Sequence, residues 1–468
     1  MINTKRKLNV SGYRGVWEET LTEEIVRKYT RAFAQFTKED TGKDKPTILI
    51  GRDGRETGPI IKEIIIKELS DLGVNVINGD VLPTPTVLFS VRKHIYDGGI
   101  IITASHNPIE YNGLKFVNKS ALFTTGEEVE KINKYSEKEI DKFERESPLL
   151  IEEGVGGGDS KKLPQEEIPN FPQEHIDEIL KHVDVELIKS KKFKVVADMI
   201  NASASVMDPY LFHKLGVEFT PINGNPDGKF AHKPEPLREN LKETMKISRE
   251  MKADIGFIHD PDADRLVLMD EKGEVVLEEY TVALAIESIL SKNKGGIAVI
   301  NLSTSQMSID IAKKYEGECI STSVGEPNVV EGIIKHNAII GGEGNGGVIY
   351  PKINLVRDGF VGICLILEFL AERNKKLSEL IDELPKYYIK KDKWPIEGSL
   401  EEMISKLKNH FKNAKTNEID GIRLDFPDKT WLHLHPSNTE PIIRLFGEAI
   451  TEEKIGNLFE EAKEVIFG

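Results

Sequence analysis

A serine, a histidine and a lysine lie close together in the sequence, just after a run of apolar residues. In "GGIIITASHNPIEYNGLKF", residues 100–102 are followed by Ser105 and His106, and Lys115 comes soon after. Ligands of α/β sheets gather beyond the carboxyl ends of the strands, where Ser105 is expected to lie. A serine hydroxyl needs a neighbouring group to activate it as a nucleophile. The stretch therefore predicts an activated serine or, as the plainer interpretation of "SHN" alone, a turn of small residues.

Three aspartates alternate with other residues in "IGFIHDPDADRLVLMD". Asp260, Asp262 and Asp264 would repel one another without a cation, and their hard oxygen atoms suit Mg²⁺. An EF-hand calcium loop begins in the same way, but it requires glycine at its sixth position, where this chain has Arg265. A solvated acidic turn is the other alternative, and the apolar strands predicted on both sides disfavour it. We therefore expect a magnesium site.

A glycine-rich loop follows a third apolar run, in "AIIGGEGNGGVIYP". Glycine residues let a ligand approach the backbone closely. Glu343 and Asn345 could hydrogen-bond neighbouring hydroxyl groups of a sugar. A glycine-rich hairpin turn explains the stretch equally well.

The stretch "HPSNTEPIIRLF" offers hydroxyl, amide and backbone donors of the kind that bind an oxyanion. The candidate ligands are Ser437, Asn438 and Thr439, with Arg444 as an added charge. The alternative is a turn in which the serine and threonine side chains bond to nearby backbone before a strand. The arginines of "SGYRG" and "GRDGRETG" are of a type that is usually solvated, so they gain weight only from their neighbours. Together the four motifs favour phosphoryl transfer, in which catalysis is mainly positioning and charge neutralisation.

The elements that must position these motifs follow one pattern three times. A short strand, a loop, a helix and a second strand recur at residues 47–85, 193–228 and 295–328. Strands that alternate with helices predict βαβ units in mixed or parallel sheets, and three copies predict three related α/β domains. The tail predicts a smaller α+β unit: a helix in "KLKNHFKNAK", a hairpin in "GIRLDFPDKTWLHLHP" and an amphipathic helix in "TEEKIGNLFEEAKEVIFG".

These patterns predict four domains and one linker. The expected domains are residues 1–150 with the serine motif, 165–274 with the aspartates, 275–388 with the glycine-rich loop and 389–468 with the anion-binding motif. Residues 152–169 are glycine-rich, then charged, and predict an exposed linker.

Composition excludes several classes of protein. The 468 residues carry a formal net charge of −15, which gives no general attraction to a polyphosphate backbone, so nucleic acid is not an expected partner. Cys319 and Cys364 form no metal-binding or disulfide pattern. The beginning of the chain lacks the apolar core of a signal peptide, and residues 360–371 are too short to span a bilayer and predict a buried helix. The expected location is the cytoplasm, with no membrane partner.

All four motifs, in this order, resemble those of the α-D-phosphohexomutase superfamily, and the resemblance covers almost the whole chain. "TASHNP" is similar to the family's phosphoserine loop (here the serine loop), "DPDADR" to its magnesium loop (the metal loop), "GGEGNGG" to its sugar loop and "SNTEP" to its phosphate loop. The resemblance implies an α/β protein of four domains around a central cleft. The family includes phosphoglucomutases, phosphomannomutases and phosphoglucosamine mutases.

The resemblance also implies a role for each matching residue. Ser105 would be the phosphorylated serine, and the three aspartates would bind Mg²⁺ together with its phosphate. His106 and Lys115 would be candidates for general acid and base, while Arg14 and Arg265 would orient the phosphoryl group. Glu343 and Asn345 would contact sugar hydroxyls, and the phosphate that is not transferred would be held by the phosphate loop, namely Ser437, Asn438 and Thr439.

The implied reaction moves a phosphoryl group from Ser105 to a hexose monophosphate, with a hexose bisphosphate as intermediate and activator. The sugar then turns over and returns its other phosphate, which interconverts the 1-phosphate and the 6-phosphate. Glucosamine phosphate is slightly favoured over glucose or mannose phosphate as substrate. The alternatives are a non-catalytic sugar-phosphate binding protein and a phosphatase of the same fold, and the sequence predicts no oligomeric state.

Two positions depart from the family pattern. His435 stands where an arginine is common, and histidine lacks the two-pronged guanidinium and is only partly charged at neutral pH. We therefore expect weaker phosphate binding that improves as pH falls. Gly347 stands where some members have histidine or lysine, so a base at that position is absent and the work would shift to Lys115 or His106.

Overall fold

The structure is a computed structural model that describes residues 7–146, 168–396, 399–436 and 442–468. It divides into two units, residues 1–264 and 265–468, which we take separately. The elements of the first unit are β1 (Tyr13–Val16), α1 (Glu23–Thr41), β2 (Thr47–Arg52), α2 (Gly58–Asp71), β3 (Asn75–Val81), α3 (Thr84–His94), β4 (Gly98–Ile102), β5 (Tyr111–Val117), α4 (Gly126–Glu146), α5 (Phe171–Leu180), α6 (Val185–Lys191), β6 (Lys194–Asp198), α7 (Asp208–Leu215), β7 (Glu218–Ile222), α8 (Lys242–Met251) and β8 (Ile255–His259). Short 3₁₀ turns occur at Ser203–Val206 and Arg238–Asn240.

Two sheets organise the first unit. One has the order β1-β5-β4-β2-β3, with β2 parallel to β3 and β4 and with β5 antiparallel to β1 and β4. In the other, β6 lies between β7 and β8 and is parallel to both. Apolar side chains of α1, α2 and α4 pack on the first sheet, where the rings of Phe33 and Phe116 stack 4.5 Å apart. The first two predicted βαβ copies are thereby confirmed.

The second unit continues with the third copy and a different C-terminal part. Its elements are β9 (Leu266–Met269), α9 (Glu279–Lys292), β10 (Ile297–Asn301), α10 (Gln306–Lys314), β11 (Glu318–Thr322), α11 (Glu326–His336), β12 (Ile340–Glu343), β13 (Gly347–Ile349), α12 (Gly359–Arg373), α13 (Leu377–Glu383), β14 (Tyr388–Pro395), α14 (Leu400–His410), β15 (Lys415–Asn417), β16 (Ile422–Asp425), β17 (Trp431–Pro436), β18 (Ile442–Ala449) and α15 (Glu452–Phe467).

The third copy has the same connections as the first two. β10 is parallel to β11 and β12, and β12 turns back into the antiparallel β13. The C-terminal sheet is antiparallel throughout, in the order β14-β18-β17-β16-β15, and α14 and α15 pack on it. The predicted class, three related α/β domains and a smaller α+β domain, is confirmed. The exact domain boundaries stay predictions.

Local predictions in the tail hold with one correction. The hairpin of β16 and β17, the helix α15 and the buried helix α12 are confirmed. The helix predicted in "KLKNHFKNAK" instead begins at Leu400, where Ser399 caps it, and ends at His410, because the last residue of that stretch already starts β15. The predicted linker falls almost wholly outside the described residues. Across the described ranges, the helices are too short or too polar to cross a bilayer.

Candidate active site

The serine loop leaves the carboxyl end of β4, as the sequence predicts. Ser105 is buried and has a φ of 50°, in the left-handed region that non-glycine residues rarely adopt. Its backbone N–H donates to Oγ1 of Thr103 at 2.8 Å, and that hydroxyl donates to Oδ2 of Asp53 at 2.7 Å. Side-chain hydrogen bonds therefore stabilise an unusual backbone conformation at the predicted nucleophile.

Arg55 binds the backbone of the same loop. Its side chain has no exposure to solvent, and the ring of Phe230 covers the guanidinium at 5.0 Å. All five N–H groups of the guanidinium have acceptors at 2.6–3.0 Å: Oδ2 of Asp53 for Nε, the carbonyls of Pro108 and Tyr111 for Nη1, and those of Ser105 and Asn107 for Nη2. Arg55 thus fixes the loop through its backbone carbonyls, in addition to the hydrogen bonds of Thr103 and Asp53.

The side chain of Ser105 points to the metal loop. Its hydroxyl donates to Oδ2 of Asp260 at 3.0 Å, while Nδ1 of His106 lies 3.4 Å from Oγ of Ser105. Arg14 on β1 donates from Nη1 to Oδ1 of Asn107 at 2.8 Å and more weakly to the carbonyl of Ala104 at 3.3 Å. Within the first unit, the structure therefore brings Arg14, the serine and the aspartates together.

The metal loop gathers three buried carboxylates. One oxygen from each of Asp260, Asp262 and Asp264 lies within 4.8 Å of the others, and all three side chains are inaccessible to solvent. Oδ2 of Asp262 accepts from Nζ of Lys115 at 2.7 Å and from the hydroxyl of Thr84 at 2.8 Å. Nζ of Lys115 is also 3.7 Å from Oδ2 of Asp264.

The single positive charge of Lys115 does not neutralise the three carboxylates of this cluster. Burial opposes ionisation of Asp262, yet the charge and hydrogen bond of Lys115 hold the pKa of this carboxyl below its ordinary value. Its other oxygen, Oδ1, is buried and has no hydrogen-bond partner among the described residues. A divalent cation with hard oxygen ligands fits this donor set.

Arg265, the last residue of the metal loop, lies in the second unit and is half-buried just before β9. Burial opposes ionisation of Glu278, but Lys391 and, to a lesser extent, Arg265 lower the pKa of that carboxyl. The charge of Arg265 therefore acts on Glu278 within its own unit.

The sugar loop lies between β12 and β13, and its carboxylate is firmly oriented. Oε1 of Glu343 accepts from Nδ2 of Asn301 at 2.7 Å and from the N–H of Gly325 at 3.2 Å. Oε2 accepts from Nη1 of Arg357 at 2.7 Å, with Nδ2 of Asn345 at 3.5 Å. Glu343 and Asn345 are therefore brought together, on a framework that could present a carboxylate and an amide to sugar hydroxyls.

The strands on either side of the phosphate loop place two further predicted residues. His435 on β17 and Arg444 on β18 are directly opposite in the antiparallel register. Nδ1 of His435 donates to Oδ1 of Asp420 at 2.9 Å. Burial lowers the pKa of the neighbouring His433 to about 4, so His433 is neutral at pH 7. The remaining predicted phosphate ligands, Ser437, Asn438 and Thr439, lie outside the described residues.

Three stretches of the chain match the profiles of one enzyme family. Residues 5–142, 173–273 and 278–388 match domains I, II and III, each described as a phosphoglucomutase/phosphomannomutase alpha/beta/alpha domain. The chain belongs to the phosphoglucomutase/phosphomannomutase family. The resemblance carried by the four motifs is thereby confirmed.

Individual relatives agree with this membership. A phosphoglucomutase/phosphomannomutase of Thermococcus kodakarensis is 37% identical over 96% of both chains, and a phosphoglucosamine/phosphogalactosamine mutase of Sulfurisphaera tokodaii is 35% identical over 98% of both. A solved structure of a phosphoglucomutase/phosphomannomutase family protein from Burkholderia thailandensis is 25% identical and has a TM-score of 0.81, covering 98% of this chain and 97% of that one. The enzyme is an isomerase, a phosphosugar mutase.

Several residues that contact the candidate site residues are not predicted by the sequence. The sequence presents Arg55 only as an arginine of a usually solvated type, and it predicts no role for Thr84, Asp420 or Arg357. Arg55 had a usable signal, because it follows β2, which is parallel to β4, and the carboxyl ends of parallel strands meet at one edge. Thr84 contacts Asp262, 178 residues away, and Arg357 and Asp420 contact Glu343 and His435 on other elements, so no local pattern marks these three residues.

Proposed function

We propose that this mutase interconverts the 1-phosphate and the 6-phosphate of a hexose through a phosphoserine at Ser105 and a hexose bisphosphate. The observation that carries the proposal is the 3.0 Å hydrogen bond from the Ser105 hydroxyl to Asp260. It sets a serine in a constrained, buried turn beside three carboxylates suited to a cation, which is what a phosphoryl carrier requires.

In the transfer step, the bond between phosphorus and Oγ of Ser105 breaks as a bond from phosphorus to a sugar hydroxyl oxygen forms. The hydroxyl proton passes to a base and a proton returns to Oγ. The candidates for this work are His106, 3.4 Å from Oγ, and Lys115, which binds Asp262 of the metal loop. Arg14, fixed by Asn107, would orient the phosphoryl oxygens.

Asp260, Asp262 and Asp264 would hold Mg²⁺, together with an oxygen of the serine phosphate. When bound, the ion neutralises charge on the phosphoryl group as that group moves. The fit rests on the buried Oδ1 of Asp262, for which the described residues supply no hydrogen bond. Lys115 would offset part of the remaining negative charge from the opposite side of Asp262.

Recognition of the substrate would fall to the second unit. Glu343 and Asn345 would bind sugar hydroxyls, while His435, Arg444 and the phosphate loop, with Ser437, Asn438 and Thr439, would hold the phosphate that is not being transferred. We favour glucosamine phosphate slightly, because "phosphoglucosamine mutase" recurs in the names of the similar proteins. Glucose and mannose phosphates remain in the proposal because the Thermococcus kodakarensis relative carries their names.

Phosphorus NMR tests the proposal directly. The protein is incubated with Mg²⁺, a trace of hexose bisphosphate and, separately, the monophosphates of glucosamine, N-acetylglucosamine, glucose and mannose. We expect one sugar's 1-phosphate and 6-phosphate to interconvert, and we expect the Ser105→Ala variant to fold but to lose most of this activity because covalent transfer is impossible.

Three other outcomes of this experiment would contradict the proposal. Free phosphate that accumulates as fast as sugar phosphate disappears would identify a phosphatase. Binding of the sugars without any interconversion would identify a non-catalytic binding protein. Near wild-type turnover by Ser105→Ala would refute the phosphoserine assignment.

A further inference from the structure

Arg357 lies at the sugar loop although it comes from a separate segment, just before α12. Its Nη1 donates to Oε2 of Glu343 at 2.7 Å, and its Nε is 3.2 Å from Oε2 of Glu326, at the start of α11. Its backbone N–H also donates to Oε1 of Glu326 at 2.8 Å. All three residues are nearly buried, so this guanidinium lies between two carboxylates that solvent screens little.

Gly347 explains how the guanidinium reaches this position. In the antiparallel pair of β12 and β13, Gly347 is directly opposite Glu343, so a side chain at 347 would share the face on which the Glu343 carboxylate lies. A Cβ atom built on Gly347 would be 2.2 Å from Cδ and 2.8 Å from Cγ of Arg357. The absence of a side chain at 347 is therefore what admits the arginine.

We propose that Arg357 is a positioning residue for substrate recognition, and that it supplies from the segment just before α12 the positive charge that a basic residue at position 347 would place beside Glu343. The inference rests on the proposed function, in which Glu343 binds the sugar. Arg357 acts by fixing one carboxylate oxygen of Glu343, while Asn301 and Gly325 fix the other. The space can hold a side chain from residue 347 or from residue 357, but not both.

A reciprocal exchange tests this. Arg357→Ala should lower kcat/KM on the order of 100-fold, mainly through KM, because a misplaced Glu343 weakens sugar binding. Gly347→His alone should also be impaired, since the new side chain collides with Arg357. The double variant should recover about 10-fold relative to either single variant, because the histidine then occupies the vacated space. Arg373→Ala, the loss of an exposed arginine of the same unit, should change neither constant.

Additive losses in the double variant, or an unchanged KM in Arg357→Ala, would overturn the proposal. If Arg357→Ala does not fold, Arg357→Lys carries the test. It keeps the charge but cannot reach both Glu343 and Glu326 with one planar fork. Its KM should rise with kcat little changed, and an unaltered KM would contradict the positioning role.

Thermal unfolding separates failure of this inference from failure of the proposed function. Gly347→Ala should lower the Tm by about 2–10 °C in the wild-type background, because it overpacks the space beside Arg357. The same substitution should cost little in an Arg357→Ala background, where the Cγ and Cδ atoms that it would meet are absent. An equal cost in every background would refute the shared space, whether or not the protein turns over any hexose phosphate.

Discussion

Each of the five N–H groups of Arg55 has an acceptor, and four of these acceptors are carbonyl oxygens of the serine loop and the first residue of β5. Such a network needs the planar, five-donor geometry of arginine. Lysine offers a single point charge with three donors. The left-handed backbone at Ser105 persists only where its surroundings over-determine it, so Arg55 contributes to the geometry of the proposed nucleophile.

Arg55→Lys should therefore reduce kcat on the order of 100-fold with a smaller effect on KM, because the serine is displaced while the substrate contacts of the second unit remain. Steady-state kinetics measure this, and circular dichroism checks that the variant is folded. Arg52→Lys is the matched control, since Arg52 pairs with the exposed Asp80 rather than with the loop. Equal kcat values for the two variants would contradict the role given to Arg55.

Glu279 is a buried acid of the second unit whose titration should be visible in stability. Its Oε2 accepts from the N–H of Ser305 at 3.0 Å, and burial raises its pKa to about 8. In the unfolded chain the group ionises near its ordinary value of 4.5. The stability that it contributes is therefore complete below that value and is lost as pH rises towards 8.

Glu279→Gln keeps the neutral form at every pH. The Tm of this variant minus that of the wild type should thus increase between about pH 5 and pH 9. Differential scanning calorimetry at a series of pH values measures it, with Glu331→Gln, an exposed change on α11, as the control. A difference that stays constant with pH would show that Glu279 is already ionised in the folded protein.

At the scale of elements, three of the motifs occur at equivalent places in the chain. In each α/β copy, two parallel strands and their helix are followed by a further strand parallel to the first, namely β4, β8 and β12. The serine loop follows β4, the metal loop follows β8 and the sugar loop follows β12. One repeated supersecondary unit has therefore been given three different chemical groups at the same strand end.

This repetition explains what the sequence could predict. Apolar runs, turn residues and the four motifs are local patterns, so the copies, their strands and the positions of Ser105 and the aspartates followed from them. Thr84 acts through Asp262, 178 residues away, while Arg357 and Asp420 act through Glu343 and His435, 14 and 15 residues away on other elements. No local pattern in the sequence marks these contacts. The sequence could not predict that Arg357 fills the space beside Gly347, because this depends on the distance between the two residues in the fold and not on a local pattern.

The metal loop connects with two other elements through Asp262, which accepts from Lys115 on β5 and from Thr84 at the start of α3. Asp262→Asn keeps the shape but removes one negative charge from the cluster. Activity should then need about 10–100-fold more Mg²⁺ for its half-maximal value. A metal titration of turnover measures this, beside the exposed variant Asp254→Asn, and an unchanged titration would contradict a metal site at Asp262.

The strand pair β17 and β18 sets His435 opposite Arg444 and next to the anionic Asp420, whose pKa is lowered by His435 although burial opposes ionisation. A phosphate bound here would meet less positive charge than with arginine at 435. His435→Arg should therefore lower KM for the hexose phosphate, because arginine adds a permanent charge and a two-pronged donor. An unchanged KM in this variant would count against the assignment.

At the scale of the whole molecule, the two units hold different parts of the proposed chemistry. The serine, the three aspartates, His106 and Lys115 belong to residues 1–264, and Glu343, Asn345, His435 and Arg444 belong to residues 265–468. Arg265, expected to orient the phosphoryl group, is the exception, because it is the first residue of the second unit. Because the protein has a net charge of −15, a doubly charged sugar phosphate gains no attraction from the protein as a whole. Its binding must depend on the local cations of these loops.

This division predicts that substitutions in the first unit mainly lower kcat and that substitutions in the second unit mainly raise KM. Lys115→Met removes a charge next to the reacting phosphoryl group, where the interaction strengthens in the transition state, so kcat should fall on the order of 100-fold or more. Glu343→Gln removes a contact to sugar atoms that do not react, and it should mainly raise KM, because binding of ground state and transition state weakens equally. Both variants keep side chains of similar size, and their folding is checked by thermal unfolding. The decisive measurement is the pair of constants for each variant with one hexose phosphate. If Glu343→Gln lowered kcat as much as Lys115→Met did, with KM unchanged, the carboxylate of the sugar loop would have to act on the reacting atoms themselves, and the assignment of chemistry to one unit and recognition to the other would be wrong.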